Sequence, residues 1–240
     1  IYSERIDWWT GEFPQGAADA VAAARSKVTS GASLGFDLDT LVWAAKQQME
    51  AELVARVEQR SAVIRRRDPS TPVPAIDGML DEPVWTSSTE LASFQVPAAR
   101  SDTLQAPTWA RVLWDDQGVY LGIRCIEPTP ARIVRQGQHR DDPIWACDDI
   151  EVFVGSGEGA GDLHFIVNPD NLQWDGRSGG QGDDSIWDGQ WQIAVTETAE
   201  CWTVEIALPW ATLGGEIGGQ RRVNLCRARA GGEELSCWSG

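Results

Sequence analysis

From residue 108 onward the chain repeatedly alternates apolar and polar side chains with a period of two. The segments TWARVLW (108–114), GVYLGIRC (118–125), DIEVFVG (149–155), LHFIVN (163–168), WQIAVTE (191–197), CWTVEIALP (201–209) and RRVNLCRARA (221–230) all read as strands. Between them lie turn formers such as WDDQG, NPDN, GRSGGQGDD and AGGE. Many short strands without an intervening long helix predict a mainly β fold, an antiparallel β-sandwich.

The first 67 residues carry a different period. GAADAVAAARSKV (16–28) is alanine-rich and has no internal breaker, which predicts a helix. A second helix is expected to begin at Asp37 or Asp39, whose carboxylates cap free N–H groups. In it Leu38, Val42, Ala45, Met49, Leu53, Val57 and Ile64 make one apolar stripe. Arg65, Arg66 and Arg67 close the stripe, favourable at the negative end of a helix dipole. DPSTPVPA (68–75), with three prolines, reads as a stiff connector. The expected organisation is an α-helical segment over 1–67, a Pro-rich linker over 68–75 and a β-sandwich domain over 76–240. The helical segment is too small to bury much alone, so its helices are expected to pack on each other, on the sandwich domain, or on a preceding domain of the same parent chain.

Charge excludes several partners. The net charge is −16, and all of that excess lies beyond residue 67. Such a domain is repelled by phosphate backbones, anionic membranes and polyanionic sugars. No 18-residue apolar run is present, so no membrane-spanning helix is expected. The sequence starts at Ile1, which reads as a fragment or processed form of something longer. Five cysteines without a CxxC, and His139 and His164 as the only histidines, argue for buried thiols rather than zinc. Cys226 and Cys237 are symmetric about Gly231-Gly232. A hairpin turning there sets them opposite each other, which admits a disulfide in an oxidising compartment.

Thirteen tryptophans are far above ordinary usage. Trp202 is in phase with Val204, Ile206 and Leu208 and is expected in the core. Trp85 is expected to plug one end of the sandwich. Trp145, Trp174, Trp187 and Trp238 stand instead among polar, Gly- and Asp-rich neighbours. A loop tryptophan beside carboxylates suits a sugar, whose C–H face stacks on indole while its hydroxyls bond the acid. On this reading Trp145 is a stacking platform, and Glu151 bonds hydroxyls.

Residues 75–240 resemble family 9 carbohydrate-binding modules and their close relatives. The likeness is carried by AIDGMLDEPVWTSS, ARVLWDDQGVYLGIRCIEP, DDPIWACDDIEVFVG, HFIVNPDN, and WQIAVTETAECWTVEIALPWATLG followed by VNLCRAR, all in order. The resemblance implies a jelly-roll-like antiparallel sandwich that binds a terminal sugar between two tryptophans. One of these lies six residues before a strand glutamate, as Trp145 does before Glu151, and the second falls near the C-terminus, where Trp238 is the match. Ile166 stands where binding members use an arginine. Calcium sites also occur in the family, and Asp148 and Asp149 are oxygen ligands of the right type.

The expected function is non-catalytic binding of a neutral oligo- or polysaccharide, by a site of Trp145, Glu151, Trp238 and Trp174. The module would belong to a larger secreted carbohydrate-active protein, extracellular or periplasmic. The alternatives are a structural sandwich without a sugar site and a glycoside hydrolase. The hydrolase would pair Glu151 with Asp149 or Asp184, but acids are plentiful here and the pairing is nonspecific. A nucleophile triad would need His139 or His164, and no GxSxG accompanies them. A haem site would use Met or His axial ligands, but the only methionines, Met49 and Met79, lie outside the predicted strands and no CxxCH is present.

Overall fold

The computed structural model describes residues 60–91, 94–96, 104–155, 162–178, 187–215, 217–232 and 234–239. Gln59–Pro97 and Ser101–Gly240 form one compact unit. The helix expected over 16–28 and nearly all of the Leu38–Ile64 stripe lie outside the described residues.

The chain forms β1 (Arg65–Arg66), the short helix α1 (Pro83–Ser87), β2 (Thr89–Leu91), β3 (Thr108–Trp114), β4 (Gly118–Ile126), β5 (Asp149–Gly155), β6 (Asp162–Val167), β7 (Gln173–Ser178), β8 (Gln192–Glu197), β9 (Cys201–Pro209), β10 (Val223–Arg229) and β11 (Glu234–Cys237). The first sheet runs β1-β3-β4-β9-β8, with β2 also paired to β3. The second runs β11-β10-β5-β6-β7. Every pairing is antiparallel except β1 with β3. The expected β-sandwich is therefore the observed fold. No helix among the described residues is long and apolar enough to cross a membrane.

Period two decides what fills the space between the sheets. Ile150, Val152 and Val154 of β5 meet Phe165 and Val167 of β6 and Leu225 of β10 on one side. Val112, Ile123, Trp202, Val204 and Ile206 come from the other, all in one buried cluster. Trp202 is wholly buried, as its phase predicts.

The start of the unit differs from expectation. Residues 60–64 are not helical, and Arg65–Arg66 pair in parallel with Leu113–Trp114. The arginines that suit a helix end find carboxylates instead. Arg67 Nε donates to Asp115 Oδ2 at 2.9 Å, and Arg66 Nη2 to Asp116 Oδ1 at 2.6 Å, both at the β3–β4 turn. The sandwich unit thus begins before the 68–75 connector.

The segment after the connector is fastened by Glu205. Its Oε2 accepts the N–H groups of Asp77 and Gly78, each at 2.9 Å, and its Oε1 accepts Trp85 Nε1 at 2.8 Å. Gly78 has φ +86°, and a Cβ there would meet Thr196 N and Val195 C at 2.9 and 2.8 Å. Glycine satisfies both demands. Trp85 therefore does not plug an end of the sandwich. It lies on the outer face of the first sheet with Val84, Leu113 and Tyr120, above Gly122, whose missing side chain makes room for the indole.

Burial pushes the Glu205 carboxyl up to about 7 from 4.5, with the charge of Glu82 adding to it. The folded protein holds this proton more tightly than the unfolded chain. Its stabilising contribution is complete below pH 4.5 and is lost as pH rises to about 7. Glu205→Gln leaves one carbonyl where several donors converge, at a cost of ~1–3 kcal/mol. Denaturant unfolding is expected to show the gap between wild type and this variant narrowing from about pH 5 to about pH 8. A gap independent of pH would contradict the assignment.

Candidate functional site

The outer face of the second sheet gathers aromatic and titratable side chains. Strand register places Glu151, Ile166 and Trp174 side by side across β5, β6 and β7, and Phe153, His164 and Gly176 in the next row. On the other flank of Glu151 stand Cys226 and then Cys237, joined in a disulfide across β10 and β11. The hairpin turns at Ala230–Gly232, where the cysteine symmetry places it.

The segment between β4 and β5 folds over this face through short 3-10 turns at Pro130–Arg132 and Ile144–Ala146. Ile144 and Cys147 pack on Ile166 and Trp174, with Trp145 and Leu172 partly buried beside them. Arginines pin the segment. Arg135 bridges Asp170 at 2.5 Å and Glu197 at 2.6 Å. Arg140 binds Asp175 and, at 2.5 Å, Asp188. Asn168 shapes the β6–β7 turn by accepting the N–H groups of Asp170 and Leu172 at 3.1 and 3.0 Å.

The result is a run of ring contacts. Trp145 meets Trp174 edge-on at 5.7 Å, and Trp174 meets His164 edge-on at 5.3 Å. His164 stacks on Phe153 at 4.2 Å with 19° between the planes. His164 Nε2 lies 2.7 Å from Glu151 Oε2, and Glu151 is buried while His164 is half-buried. The carboxylate therefore reaches the surface through the imidazole. It takes the Nε2 hydrogen and leaves Nδ1 for another partner.

Of the residues singled out in the sequence, Trp145, Trp174 and Glu151 come together here. Trp174 sits on β7 rather than in a loop. Asp175 beside it is buried because it accepts Trp191 Nε1 at 3.0 Å and Gly189 N–H at 2.6 Å. Trp238 is elsewhere. Cys237 faces outward to its disulfide, so the next residue turns inward, and Trp238 packs in the main core. Trp187 packs on Phe165 and lies under Arg177. His164 and Phe153 are the residues that sequence reasoning missed as parts of the site. Their signal was alternation on β6 and β5, which needs the hairpin register before it becomes spatial.

Asp148 and Asp149 enter an extended strand at successive positions, so their side chains leave it on opposite sides. Asp148 Oδ2 accepts Val134 N–H at 2.9 Å and Gly231 N–H at 3.4 Å. Burial pushes its carboxyl pKa up, and Arg227 and Glu127 are the charges that act on it. Asp149 is on the Glu151 side, opposite Ala228. The pair does not offer calcium a common face. Among the described residues, the acids whose oxygens converge within 4.8 Å are Asp77, Glu82 and Glu205. Their oxygens are engaged by amide and indole donors. Asp184, the other nominal partner for Glu151, lies outside the described residues. A concavity of about 430 Å³ lies away from this face, lined among others by Tyr120, Trp191, Gln117, Gln190 and Gln192.

The family model described as carbohydrate family 9 binding domain-like matches residues 76–226. The chain belongs to that family. This family 9-like domain has no match among curated proteins. Among solved structures it is similar to a carbohydrate binding module family 9 from Caldicellulosiruptor kristjanssonii in complex with glucose. The identity is 17%, the match covers 70% of this chain and 83% of that one, and the TM-score is 0.49. A second is a module of that family from the same organism in complex with cellotriose, at 17% identity, 70% and 80% coverage and TM-score 0.49.

Ile166 is buried and packs with Ile144 and Trp174. It supports the platform from below. Ile166→Ala is expected to cost ~2–4 kcal/mol in denaturant unfolding. A change below ~1 kcal/mol would show that this cluster does not hold the face together.

Proposed function

We propose that this family 9-like domain binds a neutral carbohydrate without cleaving it, on the outer face of the second sheet. Trp145, partly exposed and braced edge-on by the buried Trp174, offers indole to the C–H face of a sugar ring. His164, oriented by Glu151, offers a polar edge to the hydroxyls. The observation that carries this reading is the union, on one partly exposed face, of the Trp145–Trp174 pair with the hydrogen-bonded His164–Glu151 pair. The strongly acidic character of the sandwich supports a neutral rather than an anionic sugar. Trp238, held in the core, takes no part.

The domain acts as a module of a larger secreted carbohydrate-active protein, keeping its parent near the polymer by raising effective concentration. The Cys226–Cys237 disulfide supports an extracellular or periplasmic setting.

Tryptophan-fluorescence titration against glucose and against cello- and xylo-oligosaccharides tests the reading, with product analysis alongside. Saturable binding without cleavage is expected. Trp145→Ala and His164→Ala, each checked for folding by circular dichroism, are expected to weaken it about tenfold or more, ~1.4 kcal/mol. A folded wild type that binds none of these sugars would favour a purely structural sandwich. Released product would favour the hydrolase reading.

A further inference from the structure

The run of rings does not end at His164. Phe153 follows it, and beyond Phe153 lies a depression of about 160 Å³ lined by Phe153, Gly155, Asp162, Arg222, Val223 and Asn224. Phe153 and Glu151 are two residues apart on one face of β5, about 7 Å along the strand. The depression therefore adjoins the candidate site at Phe153 and extends it across β5 toward β10 and the end of β5.

Its chemistry matches that of the site it extends. Phe153 supplies a half-buried aromatic wall, with one ring face stacked on His164 and the ring also lining the depression. Gly155 leaves the floor open, and a Cβ there would meet Arg222 Cβ at 3.1 Å. Arg222 Nη2 donates to Asp162 Oδ1 at 3.1 Å, and the pair is largely exposed at the rim. Asn224 stands directly across from Phe153 and accepts Ser239 N–H at 2.9 Å through its Oδ1. Its amide nitrogen remains as a donor. Guanidinium, carboxylate and amide groups around an aromatic wall bind hydroxyls and a C–H face together.

We infer that this face holds an oligosaccharide rather than a single sugar, with one ring at Trp145, Trp174 and His164 and a further ring against Phe153, bonded by Arg222 and Asp162. The inference rests on the reading proposed above and adds a length requirement to it. Binding is strengthened by chain length until the far ring reaches the Arg222–Asp162 pair.

Isothermal titration of the full chain with glucose, cellobiose and cellotetraose, and with the matching xylose series, tests it. Affinity is expected to rise about tenfold or more from the single sugar to the tetramer. Arg222→Ala and Asp162→Ala are expected to remove that rise while leaving single-sugar affinity within about twofold. The Arg222 side chain is 81% exposed, so its replacement leaves the fold intact, and a melting curve checks this. Equal affinity for single sugar and tetramer, or a rise that survives in both variants, overturns the extension while the site at Trp145 stands. Absence of binding to every sugar in wild type overturns the site and the extension together.

Discussion

One buried carboxylate, Glu205, holds the opening segment of the sandwich to its first sheet. Backbone N–H groups at a sharp turn and the indole of Trp85 all donate to it. Removing the acceptor strands these donors in the interior, which costs more than the hydrogen bonds contribute. Keeping it places a negative charge out of water beside Asp77 and Glu82. The protein balances the two with a proton held up to about pH 7. This clasp explains two of the sequence stretches that mark the family, AIDGMLDEPVW and CWTVEIALP. They are halves of one contact.

The consequence reaches the functional face. With residues 76–91 fastened over it, much of the first sheet's outer surface is covered by Trp85, Val84 and Leu80. The second sheet is covered differently, by a segment held through Arg135 and Arg140 that leaves Trp145, His164 and Phe153 partly open. The disulfide between Cys226 and Cys237 binds the last strand to β10 and stiffens the flank next to Glu151. The aromatic residues are thus carried on paired strands and a pinned turn, which suits a rigid platform that binds with little loss of conformational freedom.

The legible parts of the sequence were those governed by a local period. β3, β5 and β9 have the limits that alternation predicts, and the core residues of β5 and β9 follow from phase. β7 was not legible, because Asp175 and Gly176 read as turn formers until Trp191 and Arg140 are seen to need that buried acid. β1 was masked by an arginine triplet that suits a helix end equally well. The link between Glu151 and His164 depends on the register of the β5–β6 pair, which the alternation of either strand alone does not give. Trp238 shows the limit of spacing arguments. Its place near the C-terminus fitted a stacking role, but one step past an outward-facing Cys237 it can only face inward.

The central claim is that the Trp145–Trp174–His164 face, and not another surface, meets the sugar. Indole N–H resonances in an assigned ¹H–¹⁵N spectrum, followed during addition of cellotriose, address each tryptophan separately. The account predicts saturable shifts of the Trp145 and Trp174 indoles. It predicts no shift of Trp109, which is exposed on the first sheet, or of Trp191, beside the larger concavity. Shifts confined to Trp109 or Trp191, with Trp145 and Trp174 unmoved, would contradict it.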